Sequence, residues 1–214
     1  MRVARQRGGL DEDQRREQRR QALLDAALEL FAERGYLATP IEELCRTAHV
    51  STKSFYGVFD SREACYLDLM RRTTERLLFA MAEAITRESF DDPAVAQRHL
   101  IDALAHLMAD DPRGAVVLFG RGTATTFAVE AERRANRRRS AELVTLVWTS
   151  AWPDVEVPPG VATGTVGGLF DVVADWVADA DDLSTLDRNV LAERLQGFYA
   201  VLARGLRNGN DVLS

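Results

Sequence analysis

Hydrogen-bond donors concentrate near the middle of the first hundred residues, where two short helices are predicted to begin. These donors are hydroxyl, ammonium and phenol side chains: Thr39, Ser51, Thr52, Lys53, Ser54 and Tyr56. The first turn of a helix has free backbone N–H groups and the positive end of the helix dipole, and both favour phosphate. Such donors can also reach base edges in the major groove of DNA. The segment therefore predicts contacts to a nucleic acid.

Two helices are predicted to lead into this segment. Apolar residues at helical spacing predict a first helix over residues 13–34, and Gly35 follows it at the position where glycine commonly ends a helix. A capping box then predicts the start of a second helix, with Thr39 as N-cap, Pro40 in the first helical position and Glu42 two residues later. We expect these two helices to hold the donors in place.

A tight turn is predicted between the second helix and a third. The second helix runs to about Ala48, and Ser51 is the N-cap of a third helix that continues through Tyr56. His49 and Val50 are left to form the turn. Two short helices joined in this way and preceded by a longer one have the outline of a helix-turn-helix DNA reader.

Four ordered sequence blocks carry a family resemblance. They are FAERGY at residues 31–36, TPIEEL at 39–44, VSTKSFY at 50–56 and FDSREA at 59–64. Together they resemble the N-terminal domain of the TetR family of transcriptional regulators. This resemblance implies a homodimeric all-α protein whose three N-terminal helices bind double-stranded operator DNA. It also implies a larger C-terminal domain that binds a small ligand and thereby releases the DNA.

The chain departs from the family pattern at three places. His49 stands where a glycine is usual, so we expect a left-handed backbone there with some strain. Gly57 and Val58 follow Tyr56 where a polar or aromatic pair is common, which predicts the loss of one contact. Arg62 replaces the usual lysine and keeps the charge while adding a bidentate donor set.

The donors divide into two predicted roles. Base edges in the major groove are assigned to the start of the third helix, at Thr52, Lys53 and Ser54. Phosphate contacts, which set the register on DNA, are assigned to Thr39, Ser51, Tyr56 and Arg62. In the alternative interpretation Thr39 and Ser51 are N-caps only and Tyr56 is a packed side chain.

Composition predicts a soluble cytoplasmic chain with no membrane partner. The 214 residues carry 27 basic and 33 acidic side chains, a net charge of −6, and 46% of them are hydrophobic. The chain has neither an apolar run of about 18 residues nor a signal-peptide pattern at its start. Cys45 and Cys65 lie in apolar stretches, which favours a reducing compartment. Residues 1–20 hold seven arginines and four acids, and this basic segment either follows DNA or is a solvated tail.

Helical patterns predict an all-α protein of about nine helices in three parts. Residues 1–12 are a basic flexible arm, 13–62 a helix-turn-helix DNA-binding domain and 63–214 a C-terminal ligand-binding and dimerisation domain. A helix from residue 62 to about residue 88 connects the last two parts. Further helices are predicted over residues 94–109, 112–127, 129–152, 161–178 and 183–206.

A ligand pocket is predicted among the middle helices of the C-terminal part. Its candidate lining is aromatic or imidazole: His106, Phe119, Phe127, Trp148 and Trp152. Such a lining predicts a hydrophobic or aromatic effector, and core packing is the alternative for each residue. The arginine cluster at residues 133–139 has the pattern of an anion-binding site, but neighbouring glutamates favour a solvated helix face.

The last two predicted helices each have an apolar face suited to dimerisation. The candidate interface residues are Leu169, Val173, Trp176, Leu195, Phe198 and Leu202. Two such helices from each subunit would form a four-helix bundle, which the family resemblance also implies. The alternative is that these residues pack only within their own chain.

No catalytic or cofactor constellation accompanies these patterns. His99 and His106 lie about 10 Å apart along one helix at about 1.5 Å per residue, too far to bind one metal ion directly. No nucleophile with a base at readable spacing is present, so we expect neither an enzyme nor a cofactor. The leading hypothesis is a ligand-responsive repressor. A transcriptional activator and a helical interaction protein without specific DNA binding are the alternatives.

Overall fold

Nine α-helices make up the fold in the computed structural model, which describes residues 4–86, 93–120, 126–180 and 182–209. No strand occurs in these ranges, so the predicted all-α class is confirmed. A 3₁₀ turn at Leu183–Thr185 precedes the last helix. The helices are α1 (Ala4–Arg34), α2 (Ile41–Thr47), α3 (Thr52–Tyr56), α4 (Arg62–Thr86), α5 (Pro93–Asp110), α6 (Pro112–Phe119), α7 (Phe127–Ala151), α8 (Val161–Ala178) and α9 (Arg188–Gly209).

The first helix begins earlier than the sequence analysis expected. α1 starts at Ala4, within the expected flexible arm of residues 1–12, and residues 1–3 lie outside the described ranges. Alanine, arginine and glutamine are good helix formers, whereas each interior glycine costs only about 1 kcal/mol. An ion pair between Asp11 and Arg15, one helical turn apart, adds support. The helical pattern of the following residues therefore extends through this segment.

Two later helices are shorter than predicted. α6 ends at Phe119 and not near residue 127, because Gly120 takes an extended backbone conformation (φ −67°, ψ 168°). A Cβ atom on Gly120 would lie 2.6 Å from the carbonyl oxygen of Val116, so only glycine fits there without a shift. The predicted helix over 183–206 is divided, because Leu186 is extended between the 3₁₀ turn and the start of α9 at Arg188.

The N-terminal core is formed by α1, α2, α3 and the first half of α4, together with residues of α6 and α7. Leu23, Leu30 and Phe31 from α1 pack with Leu44 from α2 and Phe55 from α3. Val117 and Leu118 from α6 and Val129 from α7 belong to the same core. The DNA-binding segment predicted from sequence is therefore built directly onto the rest of the chain.

The C-terminal core is formed by all six helices from α4 through α9. Leu77 and Met81 from the second half of α4 pack there, and Leu104, Trp148 and Leu195 are among its most buried side chains. α4 therefore lies in both cores and connects them.

One hydrogen bond fixes α4 against α6. The Tyr66 hydroxyl donates to the carbonyl oxygen of Val117 over 2.7 Å, and both residues are buried. A second link joins α4 to α7, where Arg71 donates to the carboxylate of Glu132 over 2.8 Å. Since an unmatched buried carbonyl is costly, the Tyr66 contact holds α6 in one position against α4.

α8 combines a membrane-like composition with core packing. Among the described residues it is the one helix long and apolar enough to cross a membrane by length and composition alone. Leu169, Val173 and Trp176 are buried in the C-terminal core, and Asp171 and Asp175 are exposed. Packing within the protein accounts for the apolar composition of this helix.

The predicted dimer interface requires a correction. Leu169, Val173, Trp176 and Leu195 are all buried in the core of their own chain, as the alternative interpretation held. Phe198 and Leu202 are half-buried, so their contribution to a dimer interface stays a prediction. Phe198 also packs so closely on Gly168 that a Cβ atom there would lie 2.2 Å from its ring. The sequence pattern identified the buried face of both helices but did not distinguish a partner chain from the same chain.

Both cysteines are buried and unpaired. Burial raises the pKa of the Cys65 thiol to about 12, and burial also raises the pKa of the Cys45 thiol. Each group therefore remains a protonated thiol at neutral pH, and packing explains its presence.

We expect Tyr66→Phe to lower the free energy of unfolding by about 1–3 kcal/mol, because the buried carbonyl of Val117 loses its donor. Urea denaturation followed by circular dichroism measures this change. Tyr56→Phe is the matched control, since the Tyr56 ring is 55% exposed, and we expect its effect to stay within about 0.5 kcal/mol. Equal stability of the two variants would contradict a structural role for the Tyr66 hydroxyl.

Candidate nucleic-acid interface

The turn between α2 and α3 has the geometry of a Schellman motif. The N–H of His49 donates to the carbonyl of Arg46 over 3.3 Å, and the N–H of Val50 donates to that of Cys45 over 3.0 Å. His49 has a φ of 54°, which confirms the left-handed backbone expected where the family pattern has glycine. The turn directs the chain from α2 into α3 within four residues, 48–51.

α3 is anchored by one buried side chain and one capping bond. Phe55 is fully buried in the N-terminal core and contacts the ring of Phe59 at a centroid distance of 5.8 Å. The Ser51 hydroxyl accepts a hydrogen bond from the N–H of Ser54 over 3.1 Å, which confirms the predicted N-cap. These contacts fix both the start of α3 and its rotation about its axis.

The opposite side of α3 is an exposed polar face. Thr52, Lys53 and Tyr56 are exposed. Tyr56 is four residues from Thr52 and three from Lys53, so it lies beside both on this face. Ser51 is exposed at the start of the helix, and Ser54 is half-buried. Lys53 is also the only lysine in the chain, so its ammonium group has no equivalent elsewhere in the sequence. The structure thus brings together five of the seven residues predicted to contact DNA.

Thr39 does not belong to this surface, and both of its predicted roles are wrong. Its side chain is 0% exposed, and its hydroxyl donates to the carbonyl oxygen of Gly35 over 2.9 Å. Pro40 is the N-cap of α2, and no side chain caps that helix. Gly35, with a φ of 79°, turns the chain back so that Thr39 lies against the end of α1.

Arg62 holds the same loop from the other side. Its guanidinium donates to the carbonyl oxygen of Thr39 over 2.8 Å and lies 4.3 Å from the centroid of the Tyr36 ring. The cation and the ring face attract each other electrostatically. Arg62 therefore connects α4 to the loop before α2, and its predicted phosphate contact stays a prediction.

The basic N-terminal segment is partly used within the protein. Arg20 forms a two-bond contact with Asp68, with distances of 2.6 and 2.9 Å, which ties α1 to α4. The hydrogen bond that Arg20 donates to Asp68 raises the pKa of Arg20 above its ordinary value. Arg15 and Arg16 are exposed on α1. One arginine of this segment thus has a structural role, and at least two remain accessible.

A separate cavity of about 230 Å³ lies between α4, α6, α7 and α8. Its apolar wall comes from Met70, Leu77, Leu118, Phe119 and Phe170. The rings of Phe119 and Phe170 lie 4.4 Å apart between their centroids. The cavity therefore borders both the N-terminal core, through Met70 and Leu118, and the C-terminal core, through Leu77.

Four of the five predicted pocket residues lie elsewhere. His106 is exposed and bonds through Nδ1 to the carbonyl oxygen of Asp102. Phe127 is 88% exposed, Trp148 is buried in the C-terminal core and Trp152 packs against that core. Only Phe119 lines the cavity. Aromatic character alone does not distinguish a core position, a surface position and a cavity wall.

The polar wall of this cavity was not predicted from the sequence. Arg133 and Arg137 line it, together with Thr74, Asn136 and Ser140. The solvated face expected for the arginine cluster holds for Arg134, Arg138 and Arg139, which are exposed. Arg133 and Arg137 lie on one side of α7 because they are four residues apart, but the exposed pair Arg134 and Arg138 has the same spacing, so the sequence did not show which pair lines the cavity.

Comparison with known proteins identifies the N-terminal segment. Residues 23–69 match the family model described as "Bacterial regulatory proteins, tetR family". The chain is 29% identical over 163 residues to the HTH-type transcriptional activator FasR of Mycolicibacterium smegmatis, an alignment that covers 76% of this chain and 74% of FasR. The matched segment contains α2, α3 and the loops that hold them.

Two solved structures share the fold over most of the chain. A TetR-family regulator of Syntrophomonas wolfei superposes with a TM-score of 0.71 and 18% identity, covering 89% of this chain and 97% of that one. FadR of Bacillus subtilis, solved with stearoyl-CoA, superposes with a TM-score of 0.63 and 20% identity, covering 82% and 96%. The fold beyond the matched segment is therefore shared with these two solved structures.

We expect Lys53→Ala and Tyr56→Ala each to weaken binding to operator DNA about tenfold or more, because each removes a donor from the exposed face of α3. Fluorescence anisotropy at fixed salt measures the affinity, and circular dichroism verifies that the helices remain. Arg134→Ala is the control, since it removes the same charge from an exposed position on α7. Unchanged affinity in both α3 variants would exclude this face as the DNA contact.

Proposed function

Because residues 23–69 match the family model of the tetR bacterial regulatory proteins, we propose that this chain is a ligand-responsive transcriptional repressor that acts in the cytoplasm and is not an enzyme. The observation that carries the proposal is the exposed polar face of α3. In this five-residue helix Phe55 is the only fully buried side chain and anchors the helix, whereas Thr52, Lys53 and Tyr56 are exposed to solvent. A helical interaction protein that does not bind DNA would not require this exposed polar face.

Docking of α3 into the major groove assigns the donors their tasks. The Lys53 ammonium would donate to O6 or N7 of guanine, and the hydroxyls of Thr52 and Ser54 would reach neighbouring base edges. Ser51 and Tyr56 would contact phosphates on either side and set the register. Since the chain carries a net charge of −6, its affinity for DNA must come from such local contacts and not from overall attraction.

A homodimer would place two copies of α3 on successive turns of the DNA, about 34 Å apart. An exposed stripe on α9 supports this part of the proposal. Val201 is 69% exposed, and Gly197 and Gly205, four residues to each side, have open space where a Cβ atom would lie. Small residues at this spacing let two helix backbones approach closely, so this stripe replaces the buried residues predicted from sequence.

The cavity between α4, α6, α7 and α8 would hold the effector. Met70 lines it and lies in the same helix as Arg62, which holds the loop before α2. A ligand that shifts α4 would thus act on the placement of α3 through one continuous helix. The stearoyl-CoA bound to FadR of Bacillus subtilis supports a small-molecule effector for this fold.

Activation of transcription is the second candidate, because the relative FasR is named an activator. The same contacts to DNA serve both outcomes. Whether bound protein blocks or recruits polymerase depends on where the operator lies relative to the promoter.

We expect the purified chain to bind one near-palindromic site in the DNA flanking its own coding sequence, at least about a thousandfold more tightly than random DNA at the same salt. A titration at several salt concentrations separates this site from the salt-sensitive background.

Acylation of Lys53, read by peptide mass spectrometry, gives a direct second measurement because the chain has no other lysine side chain. The operator should protect Lys53, and random DNA at equal concentration should not. Equal affinity for both DNAs would remove the support for an autoregulated operator.

We expect Val201→Glu to convert the dimer to a monomer, since two buried carboxylates would face each other near the dimer axis. Analytical ultracentrifugation at micromolar concentration measures the mass. Phe79→Glu is the matched control, because Phe79 is 66% exposed on α4 and lies outside the proposed stripe. A Val201→Glu variant that remains dimeric would place the interface elsewhere.

A further inference from the structure

We propose that the cavity between α4, α6, α7 and α8 binds a small amphipathic carboxylate, whose charged group is held by Arg137 and Thr74. This inference rests on the proposed function, in which the same cavity takes the effector. It replaces the hydrophobic or aromatic effector expected from sequence with a ligand that has an anionic end.

Arg137 supplies the first observation. Its Nε atom is shielded from solvent, and no residue that the structure describes accepts a hydrogen bond from it. The side chain lies on the cavity wall contributed by α7. An unmatched buried donor costs about 1–3 kcal/mol, and more when the group is charged. An acceptor brought in by a ligand would remove this cost, so the site favours an anion.

Thr74 supplies the second observation from the opposite wall. It lies on α4, its side chain is 2% exposed, and its hydroxyl has no hydrogen-bond partner among the described residues. Both Thr74 and Arg137 line the same cavity. A carboxylate has two acceptor oxygens, so one group can accept from the hydroxyl and from the guanidinium together.

Two arginines and one aspartate are the charged residues in the lining of the cavity. Arg133 also lines it and pairs with Glu130, while Asp171 lies on the α8 wall and is exposed. The lining residues thus carry two positive charges and one negative charge. Because Asp171 is in contact with solvent, its charge is screened more strongly than those of the partly buried arginines. Asn136 and Ser140 add neutral hydrogen-bonding groups to the same side.

The remaining wall and the volume define the rest of the ligand. Met70, Leu77, Leu118, Phe119 and Phe170 form an apolar surface that suits an aliphatic chain. A volume of about 230 Å³ corresponds to roughly eight water molecules at about 30 Å³ each. A medium-chain carboxylate such as octanoate is of this size class, with its chain against the phenylalanine rings and its carboxylate at Arg137.

Isothermal titration calorimetry with octanoate and 1-octanol tests the proposal at pH 7. The two probes share a chain and differ in charge, so we expect octanoate to bind the wild-type chain at least tenfold more tightly. Arg137→Met should abolish this preference while leaving the affinity for 1-octanol within about twofold. Arg134→Met, which removes the same charge from an exposed position of the same helix, should retain it.

Thr74→Val provides a second variant that preserves side-chain shape, and we expect it to weaken octanoate binding several-fold without changing 1-octanol binding. Equal affinity of the wild-type chain for octanoate and 1-octanol would overturn the proposal. Unchanged octanoate affinity in both Arg137→Met and Thr74→Val would also overturn it. Absence of binding by either probe would overturn it as well. Titration of the same samples with operator DNA separates the two levels. Octanoate that binds through Arg137 but does not release DNA would contradict ligand release alone.

Discussion

The packing of α4 into two hydrophobic cores is the constraint on which the rest of the structure depends. Its first half packs with α1, α2 and α3, and its second half packs with the helices of the C-terminal core. The hydrogen bond from Tyr66 to Val117 adds α6 to this junction. Because interiors are close-packed and do not deform continuously, a shift of α4 at one end must be accommodated at the other. The exposed polar face of α3 and the cavity are therefore coupled through the packing of α4.

The position of the exposed polar face of α3 depends on two turns in which a residue has a positive φ. Gly35 and His49 both have positive φ, and between them they fold α2 and α3 back onto α1. The hydrogen bonds of Thr39 and Arg62 hold the loop before α2. The burial of Thr39 excludes its predicted phosphate contact, whereas that of Arg62 stays a prediction. A polar side chain near α3 can thus position this helix without being part of its exposed face.

Arg20, Arg134 and Arg137 lie in three different environments, and each environment indicates a different role. Arg20 is matched by the two carboxylate oxygens of Asp68 and connects helices. Arg134 is exposed on α7. Arg137 carries a shielded Nε with no acceptor among the described residues, which is the environment expected when the partner is a ligand. Charge alone did not separate these cases, since all three occur in arginine-rich sequence.

The sequence by itself determined the helical fold class, the position of the turn at His49 and the polar face of α3. These features depend on residues near one another in the chain, through caps, helical spacing and left-handed turns. Only the tertiary structure decided that Thr39 is buried, that Leu195 packs within its own chain and that Arg137 faces a cavity. An apolar helix face predicts burial without naming what covers it, because hydrophobic burial has no directional preference among partners. Which helices meet is decided by packing between residues far apart in sequence.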